Sequence, residues 1–251
     1  MKKIVLIGSG NVATHFGIAL KEKGFNILQV WSYNTKNAKV LADKLMCEYT
    51  SKIENILAAD LYILSIKDDS IINIIKNLSD IPIIHTSGST SIDVFKNKFS
   101  KYGVIYPLQK FKKNIKINLT EIPLLIEANN HKFEKDLIYI SSKLSKNTLT
   151  VSSKIRKQLH IAAVFASNFT NYMLTIAEKI LESQNLDFKL LLPLVNETIN
   201  NLNSNSPSEL QTGPAIRNDE KIIKMHLENL KDEQDKEIYS LISHAIKKDN
   251  E

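Results

Sequence analysis

The sequence predicts an α/β fold, a doubly wound parallel sheet followed by an all-α domain, from three observations. An apolar run, Ile4-Val5-Leu6-Ile7, enters a G-x-G-x-x-A turn (Gly8, Gly10, Ala13), and a helical pattern of Ala13, Phe16, Ala19 and Leu20 follows at once. Strand and helix patterns then alternate as far as about Ser152. Beyond Ser152 only helical patterns remain, which divides the chain into residues 1–152 and 153–251.

A parallel strand ending in such a turn aims the helix N-terminus, with its unpaired N–H groups, at whatever lies above the sheet. Gly8 permits the tight turn, Gly10 lets a pyrophosphate approach the backbone, and small Ala13 lets helix and strand pack closely. Gly8, Ser9, Gly10, Asn11 and Val12 are therefore candidate dinucleotide-binding residues. The second strand, Phe25–Trp31, follows a Lys23-Gly24 helix stop and ends in Ser32-Tyr33-Asn34-Thr35-Lys36. An NAD site carries Asp or Glu near this point for the ribose hydroxyls. Here there is no acid to repel a 2′-phosphate, and Ser32, Asn34 and Lys36 are suited to hold one, so NADP is expected ahead of NAD. The competing reading is a plain polar turn capping a helix Asn37–Leu45.

A strand Cys47–Thr50 and a helix Ser51–Ala58 are expected next, then a buried strand Leu61–Ile66. Its end, Ser65-Ile66-Lys67-Asp68, falls beside the first glycine turn in the usual strand order. Ile66 can pack on a nicotinamide face and Lys67 can reach a phosphate or substrate, while Asp68 or Asp69 can cap a helix Ile71–Leu78. The strand Ile81–Ile84 ends in His85-Thr86-Ser87-Gly88-Ser89, small hydroxyl residues suited to a ligand crevice, with Ser87 a substrate-binding candidate. His85 reads either as a packed histidine or as a catalyst. Tyr102–Tyr106 leads to Pro107-Leu108-Gln109-Lys110, which offers Gln109. Ile122–Glu127 and Asn147–Val151, separated by a helix His131–Leu144, complete about eight strands.

In the second half, Ser152 or Ser153 can cap a helix from about Lys154 to Leu181 that contains no Gly or Pro. Ile161, Phe165, Phe169 and Met173 line one side. His160, Ser167 and Asn171 share another stripe, flanked by Asn168. A histidine with amides and a hydroxyl on one face suits a carbonyl or imine site; a hydrated face or helix–helix hydrogen bonding accounts for the same spacing. Helices Phe188–Asn203 and Asp219–Lys248, the latter broken near Asp232, enclose a capping box at Ser206–Glu209. They also enclose the loop Gln211-Thr212-Gly213-Pro214-Ala215-Ile216-Arg217. There Thr212 and Arg217 can meet a polar, anionic ligand, or Arg217 can pair with Asp219.

Composition narrows the class. Apolar content is 43% and charged content 24%, ordinary for a globular protein. The net charge of +6 arises from lysines scattered among acids, not from an aromatic-laced basic stripe, so no nucleic-acid partner is expected. No apolar run reaches membrane-spanning length. The single cysteine, Cys47, excludes an intramolecular disulfide and a cysteine-rich metal site, so no metal is expected and the cytoplasm is the expected compartment.

Gly8–His15, His85–Ser89, Tyr106-Pro107-Leu108-Gln109, Leu159–Phe169 and Gln211–Arg217 together resemble a bacterial Rossmann-like NADP oxidoreductase family whose C-terminal half is a domain of unknown function. It is similar to pyrroline-5-carboxylate reductase, to the deazaflavin-dependent NADP oxidoreductases and to the 6-phosphogluconate dehydrogenase superfamily. The resemblance implies an N-terminal NADP domain and a helical domain that makes a homodimer, with the substrate cleft between them. This chain has Ser32-Tyr33 where the family usually has Ser-Arg. Related dehydrogenases commonly place a lysine on the equivalent helix, where this chain has His160. The expected activity is hydride transfer between nicotinamide and a small carbonyl, hydroxyl or imine substrate, with His160 as acid/base and Asn168 orienting the substrate. A non-catalytic NADP-binding sensor or scaffold is the other class consistent with the glycine turn.

Overall fold

The computed structural model describes residues 2–113, 115 and 117–250, and divides into two compact units, Met1–Ser167 and Asn168–Glu251. The division falls inside the long helical run, after its first turns.

The first unit is built on β1 (Lys3–Ile7), which is buried on both faces. Ile4 and Leu6 pack with Phe16 and Leu20 on one side of the sheet, and Val5 and Ile7 with Trp31, Tyr62 and Phe95 on the other. That is why its sequence is a continuous apolar run and does not alternate. Burial of one such side chain stabilises by roughly 1.5–3 kcal/mol, so this strand outweighs any single cap or surface pair around it. Then follow α1 (Asn11–Glu22), β2 (Asn26–Trp31), α2 (Thr35–Leu45), β3 (Glu48–Thr50), β4 (Leu61–Leu64), α3 (Asp68–Ile75), β5 (Ile83–His85), β6 (Tyr102–Pro107), β7 (Leu124–Ala128), α4 (His131–Leu144) and β8 (Thr148–Thr150). The sheet order is β3-β2-β1-β4-β5-β6-β7-β8, with β6 and β7 antiparallel and the other pairs parallel. The strand order therefore reverses between β1 and β4, the place where open α/β sheets hold ligands.

The helix expected at Ser51–Ala58 does not form; only a single 3-10 turn, Ile53–Asn55, is present. The cause lies in two neighbouring strands. Gln29 of β2 donates to the Asn55 carbonyl (3.1 Å) and accepts from the Leu57 N–H (3.0 Å). The Tyr62 hydroxyl donates to the Leu57 carbonyl (2.8 Å) and accepts from the Ala59 N–H (2.9 Å). Side chains thus satisfy backbone groups that a helix would have paired, and the segment runs extended to β4. Asp68 and Asp69 also differ from expectation. They lie in the first turn of α3, whose N-cap is Lys67, and neither is its cap.

The last element of the first unit is α5 (Ser153–Ala163), capped by Ser152, whose hydroxyl accepts from the Ile155 N–H (3.4 Å). A π-helical segment, Val164–Phe169, follows, then α6 (Thr170–Glu182). The His160/Ser167/Asn171 stripe presumed uninterrupted 3.6-residue turns; the wider π turns remove the basis of that spacing argument.

The second unit continues with α7 (Leu192–Asn201), α8 (Glu220–Asn229) and α9 (Glu233–Lys248). Asp232 caps α9 and makes the break expected near it. At Ser206–Glu209 the box closes, with Glu209 accepting from the Ser206 N–H (2.8 Å) and hydroxyl (2.7 Å), but only a turn follows. No described helix is long and apolar enough to cross a membrane.

Candidate functional site

A cleft of about 600 Å³ opens in the first unit, above the carboxyl ends of the strands, where the sheet order reverses. Its floor is the turn after β1. Gly8 has φ +120°, and a Cβ there would lie 2.2 Å from the Ser65 carbonyl oxygen, so the turn admits no side chain. Gly10 is the N-cap of α1, and a Cβ placed on it would meet nothing closer than 4.0 Å. Its pro-chiral face is open cleft.

The helix that starts there is left electrostatically available. Asn34, Asn130, Ser152, Asp219 and Asp232 cap α2, α4, α5, α8 and α9 through their side chains. No side chain caps α1, and no acid lies in its first turn. Uncapped N–H groups and the positive end of the helix dipole favour an anion at this position. The Asn11 amide and His15 ring instead hold the loop after β6, through the carbonyls of Phe111 (2.8 Å) and Lys112 (2.9 Å). That loop contributes Lys113 to the cleft wall. These features fit a dinucleotide diphosphate.

Of the expected cofactor residues, Gly8, Ser9, Gly10, Asn11, Val12, Ser32, Ser65, Ile66 and Lys67 line this cleft. Ser9 donates to the Ser32 hydroxyl (3.0 Å), tying the glycine turn to the end of β2. Asn34 and Lys36 are not among its lining residues; Tyr33 and Asn37 are. The Asn34 side chain accepts from the Asn37 N–H (3.0 Å) as the cap of α2, and Lys36 is exposed. The polar-turn reading of this stretch accounts for Asn34.

The opposite wall carries His160, Tyr106 and the loop after β5. His160 Nδ1 lies 2.9 Å from the Tyr106 hydroxyl, with the rings nearly perpendicular. Gly88 makes this possible: a Cβ there would fall 2.7 Å from His160 Nδ1 and 2.8 Å from Tyr106 Cζ. Burial pushes the Tyr106 hydroxyl above the usual phenol range, an effect that Arg156 opposes. It is therefore protonated at neutral pH. Ser87 donates to Asp68 Oδ2 (2.8 Å), and Ser89 donates to the same oxygen. Gln109 turns away: its Oε1 accepts from the adjacent Lys110 N–H (2.8 Å), and it is not a lining residue.

His85 is the packed histidine of the two readings. It is fully buried, its ring lies 5.5 Å from that of Phe95, and its Nδ1 accepts from the Ser87 N–H (3.1 Å). Burial and then the nearby Arg156 push its pKa down to about 3. Its role is to shape the loop that carries Ser87 and Gly88.

Asn168, Thr212 and Arg217 belong to the second unit, where all three are exposed. Thr212 borders an apolar groove of about 260 Å³ with Met173, Ile176 and Ile242. Among the described residues Arg217 forms no ion pair, and Asp219 serves as the cap of α8 (3.3 Å to the Ile222 N–H).

Sequence reasoning missed Tyr106, Asp68, Lys113 and the pair of buried Arg156 with half-buried Glu127 as parts of this arrangement. Arg156 carried a usable signal, standing one helical turn before His160. Tyr106 carried a weaker one as the last residue before Pro107 in a strand ending at the ligand edge.

An uncapped helix start over a glycine turn at the reversal point of an open sheet defines a dinucleotide-dependent α/β domain. Comparison with known proteins gives the family. Residues 3–93 match the model "NADP oxidoreductase coenzyme F420-dependent", and residues 122–246 match a domain of unknown function, DUF2520. A Bacteroides fragilis protein assigned as an NADP oxidoreductase, BF3122, is 39% identical over 98% of both chains, with a TM-score of 0.94. Pyrroline-5-carboxylate reductase of Streptococcus pyogenes shares the fold (19% identity, 98% of both chains, TM-score 0.60). So does a reductive aminase of Aspergillus terreus, solved with NADPH and ethyl-5-oxohexanoate (13% identity, 81% of this chain and 75% of that one, TM-score 0.63). No curated protein matches the sequence. The chain belongs to the NADP oxidoreductase family that these models and the Bacteroides protein represent, and is an oxidoreductase of that class.

The state of His85 sets a pH dependence of stability. Its folded pKa is depressed, so below the unfolded value of 6.5 the unfolded chain binds a proton that the native one refuses. Its contribution is complete above pH 6.5 and falls by about 1.4 kcal/mol per pH unit from there towards pH 3. Urea unfolding between neutral and mildly acidic pH should show this slope in the native protein and lose it in His85→Gln. Equal slopes in the two proteins would contradict the assignment.

Proposed function

We propose that the chain transfers hydride between NADP and a small carbonyl, hydroxyl or imine compound, with the His160–Tyr106 pair handling the proton. The observation that carries this reading is the 2.9 Å contact of that pair on the wall of the cleft whose floor is the glycine turn. NADPH, when bound, supplies the hydride. The backbone from Gly8 to Val12 holds its diphosphate, and Ser65, Ile66 and Lys67 border the adjoining part of the cleft. Ser32 takes the ribose end, Lys36 is the exposed cation four residues further along the chain, and no carboxylate stands at the end of β2 to oppose a 2′-phosphate.

The chain's own groups supply alignment and the proton. Two arrangements of the pair serve: the Tyr106 hydroxyl donates to Nδ1 and leaves Nε2–H as donor, or Nδ1–H donates to the hydroxyl and frees it to donate. In either, Ser87 offers a second polar contact, and its bond to Asp68 fixes its orientation. The pyrroline-carboxylate for which one structural relative is named, and the keto ester bound with NADPH in another, agree with C=N or C=O reduction. The cytoplasm, consistent with a single half-buried Cys47, is the proposed compartment.

A second copy of the chain completes the molecule in this reading. Helices α6 and α7 bury no residue in the single chain, and Tyr172, Ile180, Leu194 and Ile199 are exposed along them. Apolar surface of this extent on successive helices marks an interface. Sedimentation equilibrium at micromolar concentration should give twice the 28.5 kDa chain mass; a monomer throughout would contradict the dimer.

The enzymatic reading is tested by following NADPH oxidation against cyclic imines, keto acids and a deazaflavin acceptor. With the acceptor that turns over, His160→Ala should lower kcat by roughly 10²–10⁴-fold. Full turnover in His160→Ala would remove it from the mechanism.

A further inference from the structure

A buried cation lies behind the cleft and touches neither cofactor nor substrate in the mechanism above. Arg156 is fully buried on α5. One Nη donates to Glu127 of β7. The other donates to the Thr90 carbonyl (2.5 Å) and the Ser153 hydroxyl (3.1 Å). Glu127 in turn accepts from the Ser153 N–H (2.8 Å) and hydroxyl (2.6 Å), and Ser153 Oγ accepts from the Ile92 N–H (3.0 Å). Buried ion pairs rarely add net stability over apolar residues of the same volume, so their presence calls for a reason other than stability.

The geometry supplies one. The loop after β5 is held at Ser87 and Ser89 by Asp68, and at Thr90 and Ile92 by Arg156 and Ser153. Between these anchors stands Gly88, the residue pressed against His160 and Tyr106. His160 follows Arg156 by four residues on the same helix, so one turn of α5 carries both the anchor and the ring it serves.

We infer that Arg156 is a positioning residue: with Glu127 it clamps the loop after β5 to the first turn of α5, and so holds Gly88 against the His160–Tyr106 pair. The inference rests on the proposed role of that pair. The clamp has an electrostatic consequence, because the guanidinium opposes the rise that burial causes at the Tyr106 hydroxyl. The titratable and charged groups around Tyr106 are His160 and Arg156 on α5, Glu127 on β7, His85 on β5, Asp68 at the head of α3, and Lys113 in the loop after β6. Arg156 is the charge that acts on the Tyr106 hydroxyl most directly.

Removing Arg156 alone strands a half-buried carboxylate and threatens folding, so the test uses the double variant Arg156→Met/Glu127→Leu, in which the pair is replaced by apolar volume. A folded double variant with near-native melting should show kcat reduced at least about tenfold and KM for NADPH within about twofold of wild type. NMR titration of the Tyr106 ring carbon, assigned with Tyr106→Phe, should move to higher pH. Arg156→Lys, which keeps the charge and loses the forked contacts, should leave that titration near wild type while kcat still falls. In the folded double variant, either kcat within about twofold of wild type or an unmoved Tyr106 titration overturns the inference. Should the wild type turn over no acceptor, the functional reading fails, and amide exchange at Gly88 decides this one: faster in the folded double variant supports the clamp, and an unchanged rate overturns it.

Discussion

The approach of Gly8 to the Ser65 carbonyl is the constraint on which the first unit depends. It brings the end of β1 against the end of β4 so closely that no side chain fits between them. Because those two strands flank the point where the sheet order reverses, the contact fixes where α1 begins. Everything that makes the cleft an anion site follows from that placement: an uncapped helix start, an open face at Gly10, and hydroxyls from Ser9, Ser32 and Ser65 around it. Each of those polar features is worth about 1 kcal/mol or less in isolation. The buried faces of β1 supply the rigidity that lets such small terms act in a fixed direction.

The other wall follows a different logic. There the backbone is irregular, and polar side chains hold it in place. Asp68 binds Ser87 and Ser89, Arg156 binds Thr90, Ser153 binds Ile92, and the buried neutral His85 binds the Ser87 N–H. This is expensive in desolvation and precise in geometry, the combination expected where a reacting group must be held to a fraction of an ångström. The result is a His160–Tyr106 pair whose spacing is set by a glycine that neither member could tolerate as alanine.

The parts of this account legible in the sequence are those set by local pattern. The glycine turn, the buried strands, the absence of an acid after β2 and the break at Asp232 all follow from residue type and spacing. What the sequence hid was tertiary competition for backbone groups. Gln29 and Tyr62, from strands on either side of β1, took the hydrogen bonds that Ser51–Ala58 needed for a helix. The Arg156–Glu127 pair joins residues 29 apart on elements of different type, which no periodicity reports. The stripe drawn through His160, Ser167 and Asn171 failed for a further reason, since a π segment cannot be read from a pattern that presumes regular turns.

Calorimetric titration of the intact protein with NADPH and with NADH addresses the central claim, that the amides after β1 hold a dinucleotide diphosphate. The account predicts saturable uptake of NADPH, tighter than NADH, and its loss in a folded Gly10→Leu variant whose side chain would fill the open face. Uptake of neither dinucleotide at millimolar concentration by folded wild-type protein would contradict it.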